Sequence, residues 1–151
     1  MFNVVALDHI VLRTARVEQL ISFYRDVLGM HVERRLDIGL IQLRAGPALI
    51  DLVPVDSELG QKGGGVPDRT APNLEHFCLR IDPFDADGLR AHLESFHLIV
   101  SPVAERYGAD GFGPSLYVED PDGNTVELKG RPIRPPLPAP VQAGPHRPPG
   151  D

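Results

Sequence analysis

A phrase of seven residues occurs twice in this chain. Residues 7–13 read Leu-Asp-His-Ile-Val-Leu-Arg, and residues 74–80 read Leu-Glu-His-Phe-Cys-Leu-Arg, 67 positions further on. A second similarity follows each copy, because Leu-Ile-Asp-Leu at 49–52 corresponds to Thr-Val-Glu-Leu at 125–128. Each half of the chain therefore supplies one histidine and one carboxylate within apolar, strand-like runs. The duplication predicts a fold built from two copies of one unit.

Both halves show the same order of predicted elements. Alternating apolar residues predict strands, and apolar positions at three- and four-residue spacing predict one helix in each half. The predicted strands are 5–13, 30–36, 39–45 and 48–54 around helix 17–28, then 74–81, 98–104, 115–119 and 125–129 around helix 85–96. The sequence thus predicts an α+β fold of two βαβββ modules, about 5–54 and 74–129.

Three segments lie outside this pattern. Residues 55–73 are polar, contain three consecutive glycines and form a linker long enough to act as a mobile lid. The histidine and the carboxylate are nine residues further apart in the second half, and we assign this excess to a loop-like stretch at 107–114. Residues 131–151 hold half of the 16 prolines and almost no large apolar side chains. We therefore predict one domain over 1–130, followed by a proline-rich, disordered tail.

The composition argues against several classes of function. A net charge of −6 and a pI near 5.4 disfavour binding to nucleic acid, which needs a basic surface. No apolar run reaches the roughly 18 residues of a membrane span, and the amino terminus lacks the pattern of a signal peptide. Cys78 is the one cysteine, so no internal disulfide can form. We expect a cytoplasmic protein that binds neither nucleic acid nor membranes.

Strand alternation places the polar residues of both halves on one face of the sheet. With the apolar positions packed on the helices, the opposite face carries His9, Arg13, Gln42, Arg44, Asp51, His76, Cys78, Arg80, Tyr117, Glu119, Glu127 and Lys129. A polar sheet face is often simply solvated. Two histidines at equivalent positions, each with a carboxylate in a matching strand, favour a functional site instead. If the sheets curl toward each other about a pseudo-two-fold axis, these four side chains meet.

These phrases resemble the vicinal oxygen chelate superfamily, which contains glyoxalase I, extradiol dioxygenases, fosfomycin-resistance proteins and bleomycin-resistance proteins. The resemblance covers residues 5–129 and includes Phe-Tyr-Arg-Asp-Val-Leu-Gly at 23–29 and Tyr-Val-Glu-Asp-Pro-Asp-Gly-Asn at 117–124. It implies two βαβββ modules that form one cupped mixed sheet with a helix outside each half, often in a homodimer. It also implies that His9, His76 and Glu127 bind a divalent metal ion.

Asp51 distinguishes among the activities of this family. Glyoxalase I has a fourth metal ligand, a glutamate, on the corresponding strand, and such a carboxylate can remove a substrate proton. The resemblance therefore favours a metal-dependent lyase or isomerase in which Asp51 and Glu127 are catalytic and a metal-stabilised enolate forms on a small oxygenated or glutathione-linked substrate. The ligand set suits Zn(II), Ni(II), Mn(II) or Fe(II).

Other activities stay open at this point. Ring-cleaving dioxygenases of this family use three ligands and Fe(II), and Asp51 is one methylene shorter than the glutamate of glyoxalase I. A resistance-type transferase and a non-catalytic small-molecule binding protein are further alternatives. Arg13, Arg80 and Tyr117 lie on the polar face and are candidate substrate-binding residues.

Overall fold

The structure is a computed structural model and describes residues 3–137. The first half contains β1 (His9–Thr14), α1 (Val17–Ser22), β2 (His31–Leu36), β3 (Leu40–Ala45) and β4 (Ala48–Pro54), and the second contains β5 (His76–Arg80), α2 (Ala86–Ser95), β6 (Ala104–Gly108), β7 (Gly111–Glu119) and β8 (Thr125–Lys129). A π-helical segment, Phe23–Val27, continues α1, and one 3-10 turn, Gly60–Lys62, lies in the linker. The two predicted βαβββ modules are confirmed. None of the helices in this part of the chain is long and apolar enough to cross a membrane.

Each module contains one four-stranded mixed sheet, and the two sheets have the same topology. The strand orders are β1-β4-β3-β2 and β5-β8-β7-β6, with the first pair parallel and the others antiparallel. The strand that carries the histidine therefore lies at the edge of its sheet, beside the strand that carries the carboxylate. Within residues 3–137 no strand of one module pairs with a strand of the other.

The apolar faces of both sheets and both helices share one core. The buried cluster draws side chains from β1, α1, β3, β4, α2, β7 and β8, among them Leu12, Leu20, Tyr24, Leu43, Leu52, Leu93, Leu116, Val126 and Leu128. Burial of an aliphatic or aromatic side chain of this size contributes about 1.5–3 kcal/mol. The polar faces lie on the other side of each sheet, where Val11 of β1 is 48% exposed. The helices thus join the modules, and the edge strands β1 and β5 carry exposed residues of the polar faces.

A buried hydrogen bond crosses this core. The hydroxyl of Tyr24 donates to Oδ2 of Asp120 at 2.8 Å. Asp120 also accepts the backbone N–H groups of Asp122 and Asn124 and the side-chain amide of Asn124. Burial, together with the charge of Asp120, raises the pKa of Tyr24 well above its usual range. The hydroxyl therefore keeps its proton and links the first module to the β7–β8 turn.

The end of the linker also fixes the modules relative to each other. The side chain of Asn73 accepts the backbone N–H of Arg13 at 3.0 Å and donates to the Arg13 carbonyl at 2.9 Å. The backbone N–H of Asn73 donates to the side chain of Asn124 at 3.0 Å. One asparagine thus pairs with the edge of β1 and contacts the second module at the same time.

Two predictions for the second half are wrong, namely a strand at 98–104 and a loop at 107–114. The strand lies later, as β6, and forms a tight hairpin with β7 in which Gly108 pairs with Gly111. Glycines interrupt the alternation of apolar residues here, so the strands are hard to recognise in the sequence. The packing requires a glycine at position 113, because a Cβ atom at Gly113 would lie 2.8 Å from the carbonyl oxygen of Arg131.

The residues that directly follow residue 130 still contact the domain. The backbone N–H groups of Ile133 and Arg134 donate to the Phe112 carbonyl, and the N–H of Phe112 donates to the Arg134 carbonyl. The Arg134 guanidinium lies 4.2 Å above the centre of the Phe112 ring, which adds a cation–π contact. The first residues of the predicted tail therefore pair with β7. Residues 138–151 of that tail lie outside the described residues.

We expect Tyr24→Phe to lower the free energy of unfolding by about 1–3 kcal/mol, because Asp120 loses a buried hydrogen-bond donor. Urea denaturation of the variant and the wild type measures the difference. Tyr107→Phe is the control, since Tyr107 is 49% exposed and its change should stay within about 0.5 kcal/mol. Equal stability of Tyr24→Phe and the wild type would contradict a stabilising link between the modules.

Candidate functional site

Strands β1 and β4 place His9 and Asp51 on the polar face of the first module. The strands are parallel, and Val11 is the direct neighbour of Asp51, so His9 lies two positions earlier on the same face. Asp51 is only 4% exposed. Gln42, opposite Asp51 on β3, donates its side-chain amide to both carboxylate oxygens, at 3.0 and 3.2 Å. This amide orients the carboxylate.

The imidazole of His9 forms a hydrogen bond with its neighbour in sequence, Asp8. Its Nδ1 lies 2.7 Å from Oδ1 of Asp8. This hydrogen bond is the main reason why the pKa of His9 is raised above its ordinary value, and the charge of Asp51 adds to the effect. A carboxylate on one ring nitrogen leaves the other, Nε2, as the atom that can bind a metal.

Strands β5 and β8 repeat this arrangement in the second module. Nδ1 of His76 bonds to the carboxylate of Glu75, and Nε2 of His76 lies 3.8 Å from Oε2 of Glu127. Glu127 is only 6% exposed, and its Oε1 is buried without a hydrogen-bond partner among the described residues. A buried carboxylate oxygen without a donor is unfavourable unless a cation balances it. This donor set therefore fits a divalent metal ion.

The structure brings the predicted metal ligands together as two pairs and not as one group of four. His9 lies near Asp51, and His76 lies near Glu127. In the part of the chain from residue 3 to residue 137, no three histidine, cysteine, aspartate or glutamate side chains gather into a metal site. The expectation that the four side chains meet thus fails within one chain. The physical reason is the shared core, because it joins the modules through their helix-bearing faces and leaves the polar faces apart.

The two arginines predicted to bind substrate have partners within the protein. Arg13 donates from Nε to the Gly60 carbonyl at 3.2 Å and from Nη1 to the Gly65 carbonyl at 3.0 Å. It thereby holds the glycine-rich linker beside the first module. Arg80 pairs with the carboxylate of Asp110, in the β6–β7 turn. Both side chains fasten a loop, and their part in substrate binding stays a prediction.

Tyr117 lies beside the second pair. Its ring meets the His76 ring edge to face, with 6.2 Å between the centroids. Tyr117 also lines a cavity of about 520 Å³ together with Arg69, His97 and Ser101. Sequence reasoning did not select these three residues, because none of them belongs to the phrases that the two halves share. Tyr117 thus connects the histidine–carboxylate pair to a space large enough for a small molecule.

Cys78 lies on the same face as this pair. It is the direct neighbour of Glu127 across β5 and β8. Burial, followed by the charge of Glu127, raises the pKa of the Cys78 thiol to about 11. At neutral pH the thiol is therefore protonated. Strand alternation placed Cys78 on this face but gave it no role beyond lining it.

In the metal-free protein, Asp8→Asn should lower the pKa of His9 toward its ordinary value of 6.5, because an amide stabilises the imidazolium less than a carboxylate does. An NMR titration of the imidazole signals measures the change. Asp37→Asn serves as the control, since Asp37 does not contribute to the pKa of His9. If the pKa of His9 is the same in Asp8→Asn and in the wild type, another group is responsible for raising it.

Comparison with known proteins agrees with this fold. The model of the Glyoxalase/Bleomycin resistance protein/Dioxygenase superfamily matches residues 6–128. Virulence protein STM3117 of Salmonella typhimurium is 30% identical over 122 residues, which cover 81% of either chain. Biphenyl-2,3-diol 1,2-dioxygenase 3 of Rhodococcus globerulus is 31% identical over 131 residues, which cover 82% of this chain and 62% of that enzyme.

A solved structure has the same arrangement of elements. The integron cassette protein VCH_CASS1 of V. cholerae superposes with a TM-score of 0.72 at 28% identity, over 86% of this chain and 98% of that one. The family match covers both modules, including the strands that carry His9, Asp51, His76 and Glu127. The chain belongs to the Glyoxalase/Bleomycin resistance protein/Dioxygenase superfamily, the vicinal oxygen chelate group that its two repeated phrases resemble.

Proposed function

We propose that this protein is a divalent-metal-dependent lyase or isomerase that acts on a small oxygenated or glutathione-linked substrate. The observation that carries the proposal is the duplicated histidine–carboxylate pair, in which a buried oxygen of Glu127 has no donor within residues 3–137. Two imidazoles and two carboxylates suit Zn(II), Ni(II), Mn(II) or Fe(II). Such an ion supplies a Lewis acid that stabilises an enolate as it develops on the substrate.

We place the complete site between two copies of the chain. His9 and Asp51 of one protomer would face His76 and Glu127 of its partner, because no single chain brings both pairs together. A two-fold symmetric dimer forms such a contact twice, since each surface meets its counterpart on the other copy. Each dimer then contains two equivalent sites.

The surface next to the histidine strands supports this assembly. An apolar groove of about 580 Å³ lies between the modules, bordered by the edge strand β5, the β3–β4 turn and helix α2. The segment before β1 adds apolar surface, since Val4 is 87%, Val5 94% and Leu7 73% exposed. Contiguous apolar surface of this kind marks sites of protein association. A second copy would cover it and shield the metal ligands from water.

Asp51 is the residue that we assign to proton transfer. It is almost fully buried, and the Gln42 amide fixes its orientation without supplying a positive charge. Such a carboxylate can take a proton from the carbon next to a substrate carbonyl and return it to a neighbouring atom. Asp8 and Glu75, each bonded to Nδ1 of the adjacent histidine, hold the two imidazoles in place.

A ring-cleaving dioxygenase is the second candidate. The 31% identity to biphenyl-2,3-diol 1,2-dioxygenase 3 favours it, although the chain spans only 62% of that enzyme. In this case His9, His76 and Glu127 are the ligands of Fe(II), and Asp51 is the partner of Gln42 without a catalytic part. The two candidates therefore differ in what they require of Asp51.

Asp51→Asn should retain much of the metal and lose about 10²–10⁴-fold in turnover of the hemithioacetal of methylglyoxal and glutathione, because an amide cannot take up the proton. Metal analysis and a lyase assay of the same sample measure both quantities. Asp56→Asn, an exposed carboxylate of the linker, is the matched control and should change neither. If the wild type and Asp51→Asn instead cleave a catechol equally well with Fe(II) and oxygen, the dioxygenase assignment replaces the lyase.

Mixing His9→Ala with His76→Ala tests the shared site. Each variant alone should lose at least tenfold in metal affinity, or about 1.4 kcal/mol, because it lacks one strong ligand in every site. A mixed dimer regains one intact site, formed by the second module of His9→Ala and the first module of His76→Ala. Random exchange of subunits should restore about one quarter of the wild-type sites.

The control for this experiment mixes His76→Ala with Glu127→Ala. Both changes lie in the second module, so every site of the mixed dimer carries one of them. Metal content should then equal the average of the two separate variants. If the mixture of His9→Ala with His76→Ala also binds only the average of the metal bound by its two separate variants, each site lies within one chain.

A further inference from the structure

We propose that a cavity beside the second histidine–carboxylate pair binds a carboxylate group of the substrate, an inference that rests on the proposed function and names a class of substrate for it. The cavity has a volume of about 520 Å³, and its lining includes Arg69, His97, Tyr117 and Glu119. We call it the Tyr117 cavity. Pockets of this size bind small molecules. Because the Tyr117 ring meets the His76 ring edge to face, a molecule in the cavity lies next to that pair.

The backbone of His97 is the first observation. One residue with a positive φ follows the helix of each module, namely Gly29 at +72° in the first and His97 at +61° in the second. Glycine adopts this conformation without strain, whereas a residue with a side chain does not. Among residues 3–137, His97 is the only residue other than glycine with a positive φ. A strained residue that lines a cavity points to a function of its side chain.

The position of Arg69 is fixed by the linker that carries it. Oδ1 of Asp68 accepts the backbone N–H of Thr70 at 2.7 Å, which closes a turn around Arg69. The linker also packs closely on the β7–β8 turn, since a Cβ atom at Gly123 would lie 2.9 Å from Cα of Arg69. The guanidinium is thereby placed beside Glu119, with which it forms an ion pair.

The polar groups of the Tyr117 cavity include more donors than acceptors. Within the described residues, the His97 ring and the Tyr117 hydroxyl make no hydrogen bond, and the Arg69 side chain bonds only to Glu119. A guanidinium has five N–H donors, so most of those of Arg69 are available to a ligand. Glu119 is the only carboxylate among the described residues that line the cavity. An incoming carboxylate supplies the missing acceptors and forms charge-assisted hydrogen bonds with Arg69.

Binding of phenylacetate to the metal-free wild-type protein tests the inference, because this measurement depends neither on the metal nor on turnover. The neutral amide, phenylacetamide, has the same shape and is the matched control ligand. NMR titration of the backbone amide signals should give an affinity for phenylacetate that is about tenfold higher than for phenylacetamide. Equal affinities for the two molecules would overturn the carboxylate site.

Two charge variants should change this affinity in opposite directions. Arg69→Gln should weaken the binding of phenylacetate about tenfold, because the cationic donor is lost. Glu119→Gln should strengthen it about threefold, because the negative charge that competes for Arg69 is removed. Arg131→Gln removes an exposed arginine outside the cavity and should leave the affinity unchanged. Weaker binding by Glu119→Gln would contradict the assignment of a carboxylate to this cavity.

His97→Gly copies the residue of the first module and separates binding from stability. It should weaken the binding of phenylacetate about threefold, because one donor is lost. Its melting temperature should not fall, since glycine adopts a positive φ without strain. Unchanged binding by this variant would overturn the part of His97.

The proposed function and the carboxylate site can fail separately. A wild-type protein that binds metal but does not distinguish phenylacetate from phenylacetamide would overturn the carboxylate site and leave the metal site standing. A wild-type protein that binds phenylacetate through Arg69 but binds no metal would confirm the carboxylate site and overturn the proposed function.

Discussion

Burial of the apolar faces of both modules in one core is the constraint on which the arrangement of this chain depends. Leu12 and Tyr24 of the first module and Leu93 and Val126 of the second are fully buried there. Because each sheet has only two faces, packing the apolar faces together leaves both polar faces outside the core. The histidine strands consequently become accessible sheet edges. The separation of the two histidine–carboxylate pairs follows directly from this packing.

The sequence was sufficient to predict the two modules, because periods of 2 and 3.6 residues and a repeated phrase are local signals. Alternation also predicted that His9 and Asp51 lie on one face of a sheet and that His76 and Glu127 do so in the second module. The hairpin of β6 and β7 was not predictable, since Gly108, Gly111 and Gly113 interrupt the alternation there. The separation of the pairs was also not predictable, because alternation identifies an apolar face but not the surface that covers it.

Several contacts that hold the histidines and Asp51 in place correspond to features of the sequence that strand alternation alone does not identify. An acidic residue precedes the histidine in both copies, and these residues, Asp8 and Glu75, bond to the imidazoles. Gln42 shares the polar face with Asp51 and orients it. Arg13 lies on the predicted face as well, but its partners are backbone carbonyls of the linker, which carry no signal in a side-chain pattern.

Sedimentation equilibrium with and without Zn(II) tests most directly whether the metal binds between two copies of the chain, as we propose. A ligand that binds only the associated state stabilises that state. Zinc should therefore lower the dissociation constant of the wild-type dimer, and His9→Ala should abolish this effect. Stoichiometric binding of zinc to a monomer, with an unchanged dissociation constant, would contradict the claim.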